Sequence, residues 1–134
     1  MDIKEGNKLI AEFMGHSLSG GIWYMPDYSH YAYKGTHSFK IDCFKTEQLS
    51  YNSSWDWLMP VVERIETISI YQAEQYGSFP VSFAFLKVLN NYVVIVSCAA
   101  LKFNQIKMEN AIRLTATHEA VIEFIKWYNK NKTS

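Results

Sequence analysis

A chain of 134 residues with 49% apolar and 19% charged residues has the composition of a single globular domain with its own core, which excludes intrinsic disorder. Thirteen Lys and Arg residues balance thirteen Asp and Glu residues, so no long-range field draws the chain to nucleic acid or to an anionic membrane. Cys43 and Cys98 stand far apart with no CxxC, which excludes a disulfide framework. The polar start MDIKEGNK has no secretory apolar region, and the longest apolar run, Tyr92–Val96, is too short to span a bilayer. The expectation is a soluble cytoplasmic protein with reduced thiols; the glycosylation patterns Asn52-Ser53-Ser54 and Asn131-Lys132-Thr133 are then chance matches.

In chain order, Ile3–Met14 reads as a helix. Ile3, Ile10, Phe13 and Met14 lie on one side with Leu9 at its edge, and Lys4, Lys8 and Glu12 lie opposite. Gly15 stands where a left-handed residue ends a helix at low cost. Gly15–Gly21 reads as a flexible loop, Ile22–Met25 as a short strand closed by Pro26-Asp27, and Ser38–Phe44 as another short strand. The whole stretch His16–Tyr51 is expected to fold over the core as an irregular flap, with Tyr28, Tyr31 and Tyr33 half-buried.

The densest helical pattern follows. Trp55, Leu58, Met59, Val62 and Ile65 share one face, Ser53 or Ser54 can cap the start, and Pro60 removes one backbone donor. A loose or 3₁₀ first turn over Ser54–Trp57 is expected, then regular helix to about Thr67. Glu66–Ser78 is ambiguous and reads mostly as a connection. Phe79–Leu89 and Tyr92–Cys98 form a hairpin, with Asn90-Asn91 as its turn. Both pleat faces look apolar, so cover on both sides is expected. Ala100–Met108 supplies a candidate third strand. The last helix spans Ile112–Asn129, with Asn110 as its cap and Leu114, Thr117, Val121, Phe124, Ile125 and Tyr128 as its buried stripe. These elements predict an α+β fold in one domain over 1–134, an antiparallel sheet of three to four strands packed by three helices, tending to an α-β-α sandwich.

Three segments carry a resemblance. They are Asn7-Lys8-Leu9-Ile10-Ala11-Glu12-Phe13-Met14-Gly15, then Ser54-Trp55-Asp56-Trp57-Leu58-Met59-Pro60-Val61-Val62-Glu63, then Ala120-Val121-Ile122-Glu123-Phe124-Ile125-Lys126-Trp127-Tyr128-Asn129. Their order resembles a family of small proteins of Bacteroidetes genomes, phages and mobile elements, and it is distantly similar to a phage domain described as an α-β-α sandwich. The family has no assigned activity, so the resemblance implies no catalytic residue and no cofactor.

The residues themselves assemble no familiar site. His30 and His37, with Asp27 and Asp42, fall short of metal-ligand spacing. His118-Glu119 begins an HExxH motif that Ile122 breaks, and His118 fits a core histidine better. Gly15–Gly21 lacks the Lys-Ser/Thr ending of a phosphate loop. Asp56, Glu63 and Glu66 read as a solvated helix face, and Cys98 as packing. Trp55 is expected in the core, whereas Trp57 and Trp127 stand at stripe margins and are the candidate interface anchors. The leading expectation is a non-catalytic accessory or interaction protein of a phage or mobile element, with a protein partner or self-association and no cofactor. An enzyme using Cys43 or His37 in the flap is the alternative. A nucleic-acid binder is the third reading, because residues 101–134 carry six basic and three acidic groups, including Lys126, Lys130 and Lys132 beside Trp127 and Tyr128.

Overall fold

The computed structural model describes residues 2–24, 43–73, 77–99 and 103–131. The chain divides into two compact units, Met1–Ser50 and Tyr51–Ser134. The class is α+β with antiparallel sheets, as expected from the sequence.

In the first unit, α1 spans Ile3–Phe13. Asp2 caps it, its Oδ1 accepting from Lys4 N at 3.1 Å. Gly15, at φ 87°, ends it. His16 N donates to Ala11 O and Gly15 N to Glu12 O, the paired bonds of a Schellman motif. The buried face is Gly6, Asn7, Ile10 and Ala11, while Ile3 is exposed. Asn7 lies inside because its Nδ2 donates to Leu49 O at 2.9 Å, which satisfies a buried amide and ties α1 to the chain after the 3₁₀ turn Thr46–Gln48.

The Gly15–Gly21 stretch is more ordered than a loop. Strands β1 (Ser17–Ser19) and β2 (Ile22–Tyr24) pair across Gly20-Gly21, whose φ values of 59° and 79° are those a tight hairpin turn demands. Strand β3 (Cys43–Lys45) adds to β2, so the described parts of the expected flap form a three-stranded sheet. Trp23 in the central strand is buried, and its indole Nε1 donates to Thr46 Oγ1 at 3.0 Å. Residues 25–42, including most of the Ser38–Phe44 strand, lie outside the described residues.

In the second unit, α2 spans Trp55–Glu66. Its first turn mixes two geometries, because Ser54 O accepts from both Trp57 N (3.2 Å) and Leu58 N (3.1 Å). The helix passes through Pro60, which has no proton for Asp56 O; Asp56 is exposed, so water can satisfy that carbonyl. The buried face is Leu58, Val61, Val62 and Ile65. Met59 turns outward and Trp55 is half-buried, both differing from expectation, because at about 100° per residue they flank the arc that Leu58 and Ile65 centre.

The second sheet has the order β4-β5-β6-β7, from Ser69–Ala73, Gly77–Val88, Asn91–Cys98 and Ile106–Asn110. Part of the expected connection 66–78 is thus strand β4. The third expected strand starts late, at Ile106. Helix α3 (Arg113–Asn131) packs on β6 and β7, and α2 on β5 and α3. Asn110 ends β7 rather than capping α3. Its Oδ1 accepts from Ile112 N (2.9 Å) and its Nδ2 donates to Glu119 Oε1 (3.2 Å), fixing the strand-to-helix corner.

Register sorts the β5–β6–β7 faces. Phe83 pairs with Val96 and Phe85 with Val94, and these share a side with Ile106 and Met108. Arg113 at the start of α3 lies over Phe85 and over Trp55 of α2, so both helices occupy this side. On the other side, Ser82, Ala84, Leu86 and Val88 of β5 are exposed, so cover on both sides does not hold for this strand. Ala84, Leu86 and Val88 look like core in sequence, although the alternation with Ser78 and Ser82 already hints at a wet face.

The hairpin turn is Leu89-Asn90, one residue earlier than Asn90-Asn91. The observed register puts Lys87 opposite Tyr92, with its Nζ 5.7 Å from the ring centroid; the expected turn would have faced Lys87 with fully buried Val94. The consequence falls on Leu89, held at φ 56° and 90% exposed. A leucine in this region costs about 1–2 kcal/mol relative to glycine. Leu89→Gly is therefore expected to stabilise the protein by about 1 kcal/mol and raise Tm by roughly 3 °C in calorimetry. An unchanged or lower Tm would show that the turn is unstrained.

Candidate functional site

The candidate site is built from strand lengths. Pairing of β4 with β5 ends at Ser69↔Pro80, but β5 runs on to Val88. Just beyond, Val81 N donates to Ile68 O (3.1 Å) and Phe83 N to Glu66 Oε2 (3.4 Å). Those two amides point away from β6. The backbone alternates with a period of two, so Phe85 and Lys87 also present N–H and C=O on the outer edge. Ala84, Leu86 and Val88 direct theirs to Ile95, Val93 and Asn91. Among the described residues no strand pairs with the outer edge at Phe85–Val88.

The side chains along this edge differ by face. Leu86 (48% exposed) and Val88 (49%) stand on one side; Leu89 (90%) at the tip and Ile112 (61%) at the foot of α3 add to the exposed apolar surface of the unit. On the other side, Phe85, Lys87, Tyr92 and Arg113 line a hollow of about 120 Å³. The Arg113 guanidinium carbon is 5.3 Å from the Phe85 ring centroid and 5.8 Å from that of Trp55, which holds this cation in place. Among the described residues no carboxylate forms an ion pair with Lys87 or Arg113. The edge thus combines backbone that no described strand pairs with, apolar side chains on one face and two cations without a described carboxylate partner on the other.

The described residues of this unit singled out from sequence do not line the hollow. Trp57 is half-buried, with Tyr51 edge-on at 5.1 Å. Trp127 is half-buried, edge-on to Phe103 at 4.8 Å and 6.0 Å from Phe124. Cys43 is exposed, and the Cys98 thiol donates to Phe79 O at 3.3 Å. Asp27, His30, His37 and Asp42 lie outside the described residues, as does Lys132. Lys126 pairs with Glu123 at 3.3 Å. His118 is 5% exposed, and burial pushes its imidazole down to about 4; burial lowers His16 as well. The described residues hold no group of three or more His, Cys, Asp and Glu able to take a metal ion. None of their helices is long and apolar enough to cross a membrane.

The edge escapes sequence reasoning because openness belongs to the neighbouring strand. The signal available was the run Leu86-Lys87-Val88-Leu89, where one cation interrupts apolar residues at the end of a long strand. Comparison of the chain with protein-family models, curated proteins and solved structures finds no match.

Proposed function

We propose that the chain is a non-catalytic interaction protein that takes up an extended segment of another polypeptide along the outer edge of β5. The observation that carries this reading is the run of β5 past its β4 partner, which leaves main-chain donors and acceptors at Phe85 and Lys87 facing outward. Such an edge binds by strand addition, in which main-chain hydrogen bonds supply affinity and alternate side chains supply selectivity. The exposed Leu86 and Val88 give an added strand apolar surface to bury. In keeping with the motif resemblance, we read the protein as an accessory of a phage or mobile element.

Peptide display against the immobilised protein tests this. Lys87→Pro deletes one outward N–H and leaves the β6 ladder intact, while Lys87→Gln removes the same charge and keeps the N–H. Enriched peptides are expected to bind Lys87→Pro at least tenfold more weakly than Lys87→Gln. Equal binding to the two variants would exclude the edge as the contact.

A further inference from the structure

Building on that reading, we infer that the partner segment is acidic and alternating: a carboxylate residue flanked by apolar residues, seated with the carboxylate on the Lys87–Arg113 side. The inference follows from register. A strand added to β5 sets its successive side chains on alternate faces, and cross-strand neighbours share a face. The partner residues beside Leu86 and Val88 therefore meet apolar surface on one face of the sheet. The residue between them meets Lys87 on the other face, next to the hollow that Arg113 also lines. Neither cation has a carboxylate partner of its own among the described residues. A carboxylate arriving there gains two cations, one of which is already held by Trp55 and Phe85.

A second copy of β5 does not meet this demand. Residues Gly77–Val88 contain no Asp or Glu, so a second copy of the strand brings no carboxylate of its own to Lys87. A lysine in an edge strand deters this self-pairing. The same lysine admits a strand that carries the opposite charge, so attraction and exclusion come from one side chain.

The probe is a terminally blocked, fluorescein-labelled heptapeptide alternating valine and glutamate, with a valine–glutamine version and a version N-methylated on alternate amides. Anisotropy is read at about 50 mM and 300 mM salt, where screening of exposed charges differs strongly. The glutamate peptide is expected to bind at least tenfold more tightly than the glutamine peptide, with the advantage shrinking at high salt. Lys87→Gln and Arg113→Gln, both at exposed positions, should each remove most of that advantage. N-methylation should abolish binding. Equal binding of the glutamate and glutamine peptides would overturn the acidic partner while leaving strand addition standing. Unimpaired binding of the N-methylated peptide would overturn strand addition itself. No binding by any of the three would overturn the inference, as would equal tightness of polyglutamate, which lacks the alternation.

Discussion

Phe124→Ala is expected to remove about 3–5 kcal/mol of stability. Phe124 is fully buried, and its ring centroid lies 6.0 Å from those of Phe103, Trp127 and Tyr128. Truncation empties a space bounded by three aromatic rings. Those rings are fixed by α3 and by the chain before β7, so they can close the cavity only in part. Domains of this size are stable by roughly 5–15 kcal/mol, so the variant should sit near the edge of folding. Urea unfolding gives the number, and near-ultraviolet dichroism should lose aromatic intensity. A cost below about 1 kcal/mol would mean that the cluster is not close-packed.

Acid should destabilise the protein through His118. Its imidazole in the folded state is held at about 4, against 6.5 for the ordinary group. Burial disfavours the charged form, so the folded chain refuses a proton that the unfolded chain accepts. Above pH 6.5 neither state is protonated and the stability is complete. Between pH 6.5 and about 4 only the unfolded state gains a proton, and stability falls as pH falls. Below about 4 this group has nothing further to contribute. At 1.36 kcal/mol per pH unit the loss amounts to about 3 kcal/mol. Carboxylates titrate in the same range, so the difference from a variant isolates the histidine. His118→Gln should lose about 3 kcal/mol less than the parent between pH 7 and pH 4 in urea titrations. Equal losses would show that His118 is protonated in the folded state at its ordinary pH.

What was legible in the sequence were the elements long enough to show a period. Helix α1 with its glycine stop, α2, the β5–β6 hairpin and α3 all follow from apolar spacing and end signals, although Ser54 stands at the start of α2 without a side-chain capping bond. The three-residue strands β1 and β3 carry too few side chains to display a period. Strand β4 competes with a helix-favouring run at Gln72–Gln75. Asparagine propensity favours a turn at Asn90-Asn91, whereas the observed turn at Leu89-Asn90 pairs Lys87 with Tyr92 and spares the buried Val94 a lysine partner. The candidate site was the least legible part. Trp57 and Trp127 are half-buried as their places at the stripe margins suggest, and the fold adds the aromatic neighbours each rests against. Leu86 and Val88 read as core, since a sequence shows that a residue is apolar but not whether anything packs beside it. Lys87 and Arg113 meet only because Tyr92 pairs with both Lys87 and Asn110, which brings the start of α3 to the hairpin end of the sheet.

Amide hydrogen exchange of the free protein, resolved by residue with NMR, tests the open edge most directly. Ala84 and Leu86 direct their N–H groups to Ile95 and Val93 of β6, while Phe85 and Lys87 direct theirs to the outer edge, where no described strand pairs. The account predicts an alternation along β5, with Phe85 and Lys87 exchanging roughly a thousandfold or more faster than Ala84 and Leu86, since ladder amides open only through larger unfolding. Phe83, whose N–H is taken by Glu66, should fall between the two. Protection of Phe85 and Lys87 equal to that of their neighbours would mean the edge is already occupied and would contradict strand addition as the function.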